Sequence, residues 1–459
     1  MSNQVKLPES MMKYKKMSKR QRWQEIRSTI WYTPGIYILL SICLAVLTLY
    51  LDLGLELSQY IDAKFSSQAQ LTRMLVSTLI GGILTLSAFT FNSLLVVLTT
   101  FSGQFSPRML LNFVADKKTQ HVLGIFNGSF IYVLTVFLFI SNNNSEQYFA
   151  VPITTVFLAL FAAVTFIYFI NHATTWMQVH NITYNMKNIS KKIITFSLLK
   201  EIEPYRIKEN TKLDDKEYPK DGHRIVSHES GYIQLVDFSK LIDLAKRDNL
   251  VVRFEYGIGE HVLSGAPILT YWKEKDTAIN ELEYLNTLEI GHKQTEIQDL
   301  EFGVNKLSEI AIKALGNNDP KTAANTIHQM SELLQTIAKM TRFSPFLVDE
   351  EKNIRVILKE EDFEFYLYRG FGYIRHYADD NWIIITDIIS SLATMAESMD
   401  DQFHDDLWNF AIQTAKGVAT HEIYNLDRKY LLQQLSDLAT ATNRENEYRK
   451  IEQEYLMES

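Results

Sequence analysis

Four stretches of this 459-residue chain, roughly Gly35 to Leu51, Met74 to Phe101, Leu123 to Ile140 and Phe149 to Asn171, contain no Lys, Arg, Asp or Glu. Crossing ~30 Å of hydrocarbon takes about 20 apolar residues, with every backbone N–H and C=O paired inside the segment. Runs of this length and polarity therefore predict four transmembrane helices. Trp31, Tyr32 and Tyr50 flank the first run, and Tyr168 and Trp176 lie near the end of the fourth, where interfacial aromatics belong. Lys13, Lys15, Lys16, Lys19, Arg20 and Arg22 precede the first run in the manner of a secretory signal. The run begins too far in, lacks a small-x-small cleavage site and is followed by three more, so it reads as an uncleaved first helix.

Basic residues in the short flanks set the orientation. The segment before the first span holds eight Lys/Arg, and the loop between spans two and three holds Arg108, Lys117 and Lys118. By contrast the loop 52–73 has only Lys64 and Arg73, and the loop 141–148 has none. The first pair is expected inside and the second outside, which places both termini in the cytoplasm. Residues 1–171 hold 13 Lys/Arg and 7 Asp/Glu, a net +6, which leaves −14 for residues 172–459 out of the whole-chain −8. A basic membrane anchor thus precedes an acidic body without the clustered Lys/Arg that a phosphate backbone requires, and no nucleic-acid partner is expected. The single cysteine, Cys43, excludes an intrachain disulfide.

The expected fold is membrane α-helical with four transmembrane helices, plus a C-terminal cytosolic α+β region containing a small β-rich module and a helical part. Its segments are a basic cytoplasmic N-terminus (1–33), the four-helix domain (34–192), a polar linker (193–228), the β-rich module (229–275), a mainly helical α+β domain (276–438) and a charged tail (439–459) expected as a solvated or frayed helix. Within the module, 231–236 and 250–256 read as strands around a short helix at 240–246. The turn from Gly259 to Pro267 is similar to that of a barrel-sandwich hybrid, but no lysine sits at a hairpin tip to carry a cofactor. Helical periodicity then runs from Gln298 to Met340, broken at Gly316-Asn317-Asn318, where Asp319 is placed to cap a helix that begins at Pro320. Residues 354–358 and 363–367 read as a β-hairpin, and 383–398, 405–418 and 426–438 as helices.

No P-loop, HExxH, GxSxG or GxGxxG occurs, and no catalytic residue or cofactor is expected. His404, Asp405 and Asp406 beside Asp400 and Asp401 form the densest His/Asp cluster, which reads as an acidic turn at a helix start without a metal. Asn318, Asp319 and Pro320 form a loop whose helix N-terminus could take an anion. After the second span, Ser106, Pro107 and Arg108 predict a short amphipathic helix on the inner leaflet, where Arg108, Lys117 and Lys118 would meet anionic headgroups. The second span is 28 residues long, ~42 Å as a helix. Thr78, Gly81, Thr85, Ala88, Asn92, Val96 and Thr99 share one of its faces. That small, mildly polar face suits either close helix packing or the lining of a narrow path, with Asn92 as its most polar member.

Phe101 to Phe113 (FSGQFSPRMLLNF), Val122 to Phe126, Gln298-Asp299 with Phe302-Gly303, and Ala314-Leu315 with Asn318-Asp319-Pro320 resemble a bacterial family of membrane proteins labelled domain of unknown function 2254. Ser230 to Gln234 and Gly265-Ala266-Pro267 also fit, so the resemblance spans about residues 31 to 420. The family's ALSPGINDP stands here as ALGNNDP, two residues shorter. The resemblance implies a multi-pass protein of the bacterial cytoplasmic membrane and assigns no activity. Together these readings predict a homo-oligomeric ion channel or passive conduit in a lipid bilayer, with a cytosolic regulatory domain. The competing expectation is a membrane-anchored sensor or scaffold whose cytosolic region binds a partner or small ligand.

Overall fold

A computed structural model describes residues 31–60, 66–104, 116–140, 147–176, 178–207, 222–273, 279–295, 298–379, 381–418 and 424–457. The chain divides into two compact units, Met1–Gln178 and Val179–Ser459.

In the first unit, α1 (Tyr32–Leu49) runs on through a π-helical turn, Tyr50–Gly54. Strand β1 (Ser67–Gln68) leads into α2 (Ala69–Gln104), followed by α3 (Lys117–Ile140), β2 (Gln147–Tyr148) and α4 (Ala150–Trp176). Among the described residues, four helices are thus long and apolar enough to cross a membrane, which matches the four uncharged runs. Half of the apolar window of α3 is buried, against 22% for each of the others, because α3 packs on α1, α2 and α4 together. Tyr132, Val133 and Val136 of α3 meet Ala45 of α1, Val76 and Ile83 of α2 and Val151 of α4 in one core.

Glycines let α1 approach α3 closely. A Cβ at Gly124 would lie 2.5 Å from the Tyr37 ring, and one at Gly128 would lie 2.7 Å from Ser41 Oγ and 3.2 Å from the Tyr37 carbonyl oxygen. Small residues four apart allow this contact, in which dispersion and backbone proximity replace the missing hydrophobic drive.

The first helix extends past the boundary expected from sequence, so Asp52 belongs to it rather than to an outer loop. Asp52 is only 2% exposed. Its Oδ1 accepts from the Phe149 and Ala150 amides at 3.1 and 2.8 Å, and its Oδ2 accepts from Val151 N at 2.8 Å. These are the orphan donors of the α4 N-terminus, so a carboxylate there is satisfied without a cation. β1 and β2 pair antiparallel beside this junction.

The second unit begins with α5 (Val179–Ile193), which continues as a π-helix over Ile194–Ile202. It then comprises β3 (His223–Val226), β4 (Gly231–Val236), α6 (Phe238–Arg247), β5 (Leu250–Phe254), β6 (His261–Val262), β7 (Pro267–Lys273), α7 (Glu281–Leu285) and β8 (Leu288–Gly291). The remainder is α8 (Leu300–Gly316), α9 (Pro320–Met340), β9 (Phe346–Val348), β10 (Ile354–Ile357), α10 (Phe363–Leu367), α11 (Tyr373–Ala378), α12 (Trp382–Ala396), α13 (His404–Val418), α14 (Asn425–Ala441) and α15 (Glu445–Met457). Helix α5 belongs here and not to the four-helix domain ending at residue 192, because its buried Ile182 and Met186 lie on the helix that packs on α8 and α9. Lys187 and Lys191 of α5 both reach Glu332 of α9, the latter at 3.2 Å.

One sheet has the order β3-β7-β5-β10-β9 and the other β6-β4-β8. Strand β10 pairs parallel with β5, so the β-rich part is not confined to residues 229–275. The stretch expected as a linker, 193–228, supplies the π-helix and β3, while its residues 208–221 lie outside the described residues. The hairpin is formed one strand earlier than the sequence predicts, by β9 and β10 around Asp349, whose Oδ1 accepts from the Glu351 and Asn353 amides. Residues 363–367 are helical: Asp362 caps them by accepting from Phe365 N at 2.7 Å, and Phe363, Tyr366 and Leu367 are buried at helical spacing. Within the tail, residues 445–457 form α15, where Glu447 accepts from Trp408 Nε1 at 2.8 Å.

Candidate functional site

Helix α2 turns one face to its neighbours. Thr72, Val76, Ile83, Ser87, Thr90, Leu94 and Val97 are buried. All seven residues of the expected lining face, Thr78, Gly81, Thr85, Ala88, Asn92, Val96 and Thr99, are exposed in the single chain. Packing within the chain therefore does not account for their size. A Cβ built on Gly81 or Gly82 meets nothing within 4 Å, in contrast to Gly124 and Gly128. The hydroxyls of Thr78 and Thr85 donate to the carbonyls of Met74 and Gly81, each at 2.8 Å, and Thr99 donates to Val96. The Asn92 carboxamide makes no hydrogen bond among the described residues; along the 36-residue helix it lies about 8 Å past the midpoint.

The other residues singled out from sequence have local roles. Ser106, Pro107 and Arg108 lie outside the described residues, whereas Lys117 and Lys118 open α3 and are exposed. Asn318, with φ +56°, turns the chain between α8 and α9. Asp319 caps α9 by accepting from Thr322 N at 3.1 Å and Thr322 Oγ1 at 2.5 Å, and Pro320 takes the first helical position. Both carboxylate oxygens are thereby engaged. His404 directs Nε2 toward the Ala396 carbonyl at 3.1 Å, and Asp405 pairs with Arg444. Burial, followed by the charges of Glu364, Asp362 and Asp405, pushes the Asp406 pKa up to about 6. The three residues do not converge, and among the described residues no group of three His, Cys, Asp or Glu is arranged to hold a metal.

Sequence reasoning missed a cavity of about 70 Å³ in the second unit. It forms where the turn after β5 (Tyr256, Gly257, Ile258) meets the start of α8 (Gln298 to Glu301), the segment after α9 (Thr341, Phe343) and the turn before α10 (Lys359, Glu361). Asp299 caps α8 by accepting from Phe302 N at 3.0 Å and is 5% exposed. Gly259 has φ +86°, and a Cβ there would lie 2.1 Å from Asp299 Oδ2. A Cβ on Gly257 would lie 3.0 Å from Glu361 Oε1. Two carboxylates thus abut one short turn, which only glycine permits at Gly259. Glu361 Oε2 accepts from the Tyr366 hydroxyl at 2.5 Å.

Burial and then the Glu301 charge raise the Asp299 pKa well above the ordinary carboxylate value, and burial raises that of Glu361 against the Tyr366 hydrogen bond. The legible signals were Gly257 and Gly259 closing a strand and Asp299 preceding a helical period. Nothing local linked them to Glu361.

The family model described as "Predicted membrane protein (DUF2254)" matches residues 27–394, which takes in all four apolar helices, both sheets and the cavity. An uncharacterized protein of Mycobacterium bovis and one of Mycobacterium tuberculosis are each 25% identical over 312 residues, covering 65% of this chain and 59% of theirs. The chain thus spans less than two thirds of the length of these curated relatives. No solved structure matches.

Proposed function

The chain belongs to the family of predicted membrane proteins labelled DUF2254, and on that premise we propose that it forms a homo-oligomeric passive conduit for ions in the bacterial cytoplasmic membrane. In this reading both termini and the second unit are cytoplasmic, the second unit regulates the path, and the protein catalyses no reaction. The supporting observation is the exposure of all seven small or mildly polar α2 residues. A carboxamide facing lipid is costly, so Asn92 calls for another polar group or water.

In a symmetric ring, one Asn92 per subunit would form a girdle between rings of Thr85 and Thr99. Such a lining carries no fixed charge, and selectivity would come from pore width and oriented dipoles. The excess of basic flanks before α1 and between α2 and α3 supports the orientation. The net charge of −14 after residue 171 speaks against nucleic acid as a partner.

Asn92→Leu is expected to abolish ion flux in reconstituted vesicles while leaving the native mass of the oligomer unchanged. Unchanged flux would remove α2 from the path, and a monomer in detergent by native mass would remove the ring. The competing reading, a membrane-anchored sensor, is favoured by the cavity in the second unit.

A further inference from the structure

We propose that the outward stripe of α5 and its π-helical continuation, made by Tyr184, Asn188, Lys192, Phe196 and Lys200, docks on the bilayer surface and binds anionic phospholipid headgroups there. The inference rests on the reading that α4 crosses the membrane and not on whether the protein conducts.

Spacing provides the first support. The five residues recur every four positions within Val179–Ile202 and so fall on one side of the helix. Tyr184 is 52% exposed and Phe196 65%, and Lys192 and Lys200 are exposed as well. Ile182, Met186, Ser190 and Ile194, likewise four apart, form the opposite side and are buried. Packing on α8 fixes this rotation, because Ser190 Oγ fills the space that a Cβ at Gly303 would take, 2.0 Å away. The aromatic rings are therefore held outward and have no room to roll in.

Charge is a second, independent observation. Residues 172–200 hold four Lys and no Asp or Glu, so the −14 of residues 172–459 resolves into +4 here and −18 beyond. Lys187 and Lys191 share Glu332. Lys192 and Lys200 make no ion pair among the described residues, and the first acid after them, Glu201, accepts from Gln298 Nε2 at 2.6 Å. Lys200 Nζ stands 4.0 Å from the centroid of the Phe196 ring. An acidic body is repelled by an anionic leaflet unless it turns a cationic face toward it. Lysines interleaved with aromatic rings suit that boundary, since the rings settle at headgroup level and the ammonium groups meet phosphates.

Continuity with the bilayer selects the partner. Helix α4 ends at Trp176 and α5 begins at Val179, and three peptide steps reach at most about 11 Å. The helix that carries the stripe thus starts at the leaflet in which α4 ends, and the headgroup layer is the first surface it meets.

The test is nitroxide accessibility in the full-length protein, with Cys43→Ser and Thr195→Cys placing the label beside the stripe. The labelled protein is reconstituted into vesicles of phosphatidylcholine alone and of an equimolar mixture with phosphatidylglycerol. Two lysines at an anionic surface shift the docking equilibrium by roughly thirtyfold. In the mixed vesicles, collisions of the label with oxygen should therefore rise and collisions with a water-soluble nickel chelate should fall. Lys192→Gln combined with Lys200→Gln should erase the difference between the two vesicles and leave the melting temperature in detergent unchanged. A second label introduced by Val164→Cys, on the exposed side of α4, checks the premise; its exposure to nickel would take α4 out of the bilayer and the proposal with it. With that label in lipid, three results at residue 195 would overturn the proposal: equal collision rates in both vesicles, shielding from oxygen and nickel alike, as a second copy or another protein would give, or a lipid response that survives the double substitution.

Discussion

The Asp52 carboxylate accepts the Val151 amide at 2.8 Å with its second oxygen, while its first oxygen takes the two preceding amides. One side chain from the end of α1 therefore closes the N-terminus of α4. Asp52→Ala leaves three donors, two of them buried, without this partner and should cost at least about 2 kcal/mol. Asp52→Asn keeps one acceptor oxygen and should fall between it and the parent. Thermal unfolding in detergent gives the ranking, and equal melting of Asp52→Ala and the parent would show that water replaces the carboxylate.

The close approach of α1 and α3 makes a graded prediction. In Gly128→Ala the new methyl meets Ser41 and the Tyr37 backbone, so α1 itself must shift, at about 1–3 kcal/mol. In Gly124→Ala the obstacle is the Tyr37 ring, which can rotate at the expense of its 3.1 Å contact with His121. A smaller loss follows. Gly81→Ala meets open space and should leave the stability of the single chain unchanged. Melting temperatures of the three variants should follow that order, and a Gly124→Ala loss larger than that of Gly128→Ala would refute the backbone argument.

Asp406 gives a pH dependence whose sign can be worked out. Its folded-state pKa, about 6, lies above the ordinary 3.8. As pH rises from about 4 to about 6 the unfolded chain releases this proton before the folded one does, so stability falls across that window. Below it the contribution is fully present. The group is only partly buried, which limits the effect to about 1 kcal/mol. Asp406→Asn should flatten this part of the stability profile in denaturant titrations; an unaltered slope would place the titration elsewhere.

How much of this was legible in the sequence depends on whether a signal is local. Four uncharged runs reveal four helices because hydrocarbon tolerates little else. Asp319-Pro320 reveals a helix start because proline and a capping carboxylate act within one turn. Phe363-Glu364-Phe365 misleads for the same reason: over three residues its alternation imitates a strand, and only the burial of Tyr366 and Leu367 shows the helical period. Asp52 looked like loop charge because its partners are nearly a hundred residues away. The cavity was hidden more deeply. Thr341, Asp299 and Glu361 come from separate elements, and Asp299 already has a sufficient local role as a cap.

At 36 residues α2 is a continuous rod ~54 Å long, nearly twice the hydrocarbon thickness. No hinge interrupts it among its helical residues, so leaning in the bilayer is amplified along its length. A change in lean of 10° carries one end about 9 Å sideways relative to the other, from rod length alone. Bilayer thickness sets how far such a rod must lean to bury its apolar stretch. The thickness of the surrounding lipid is thereby converted into lateral position at Gln104, where the helix leaves for the segment that joins it to α3.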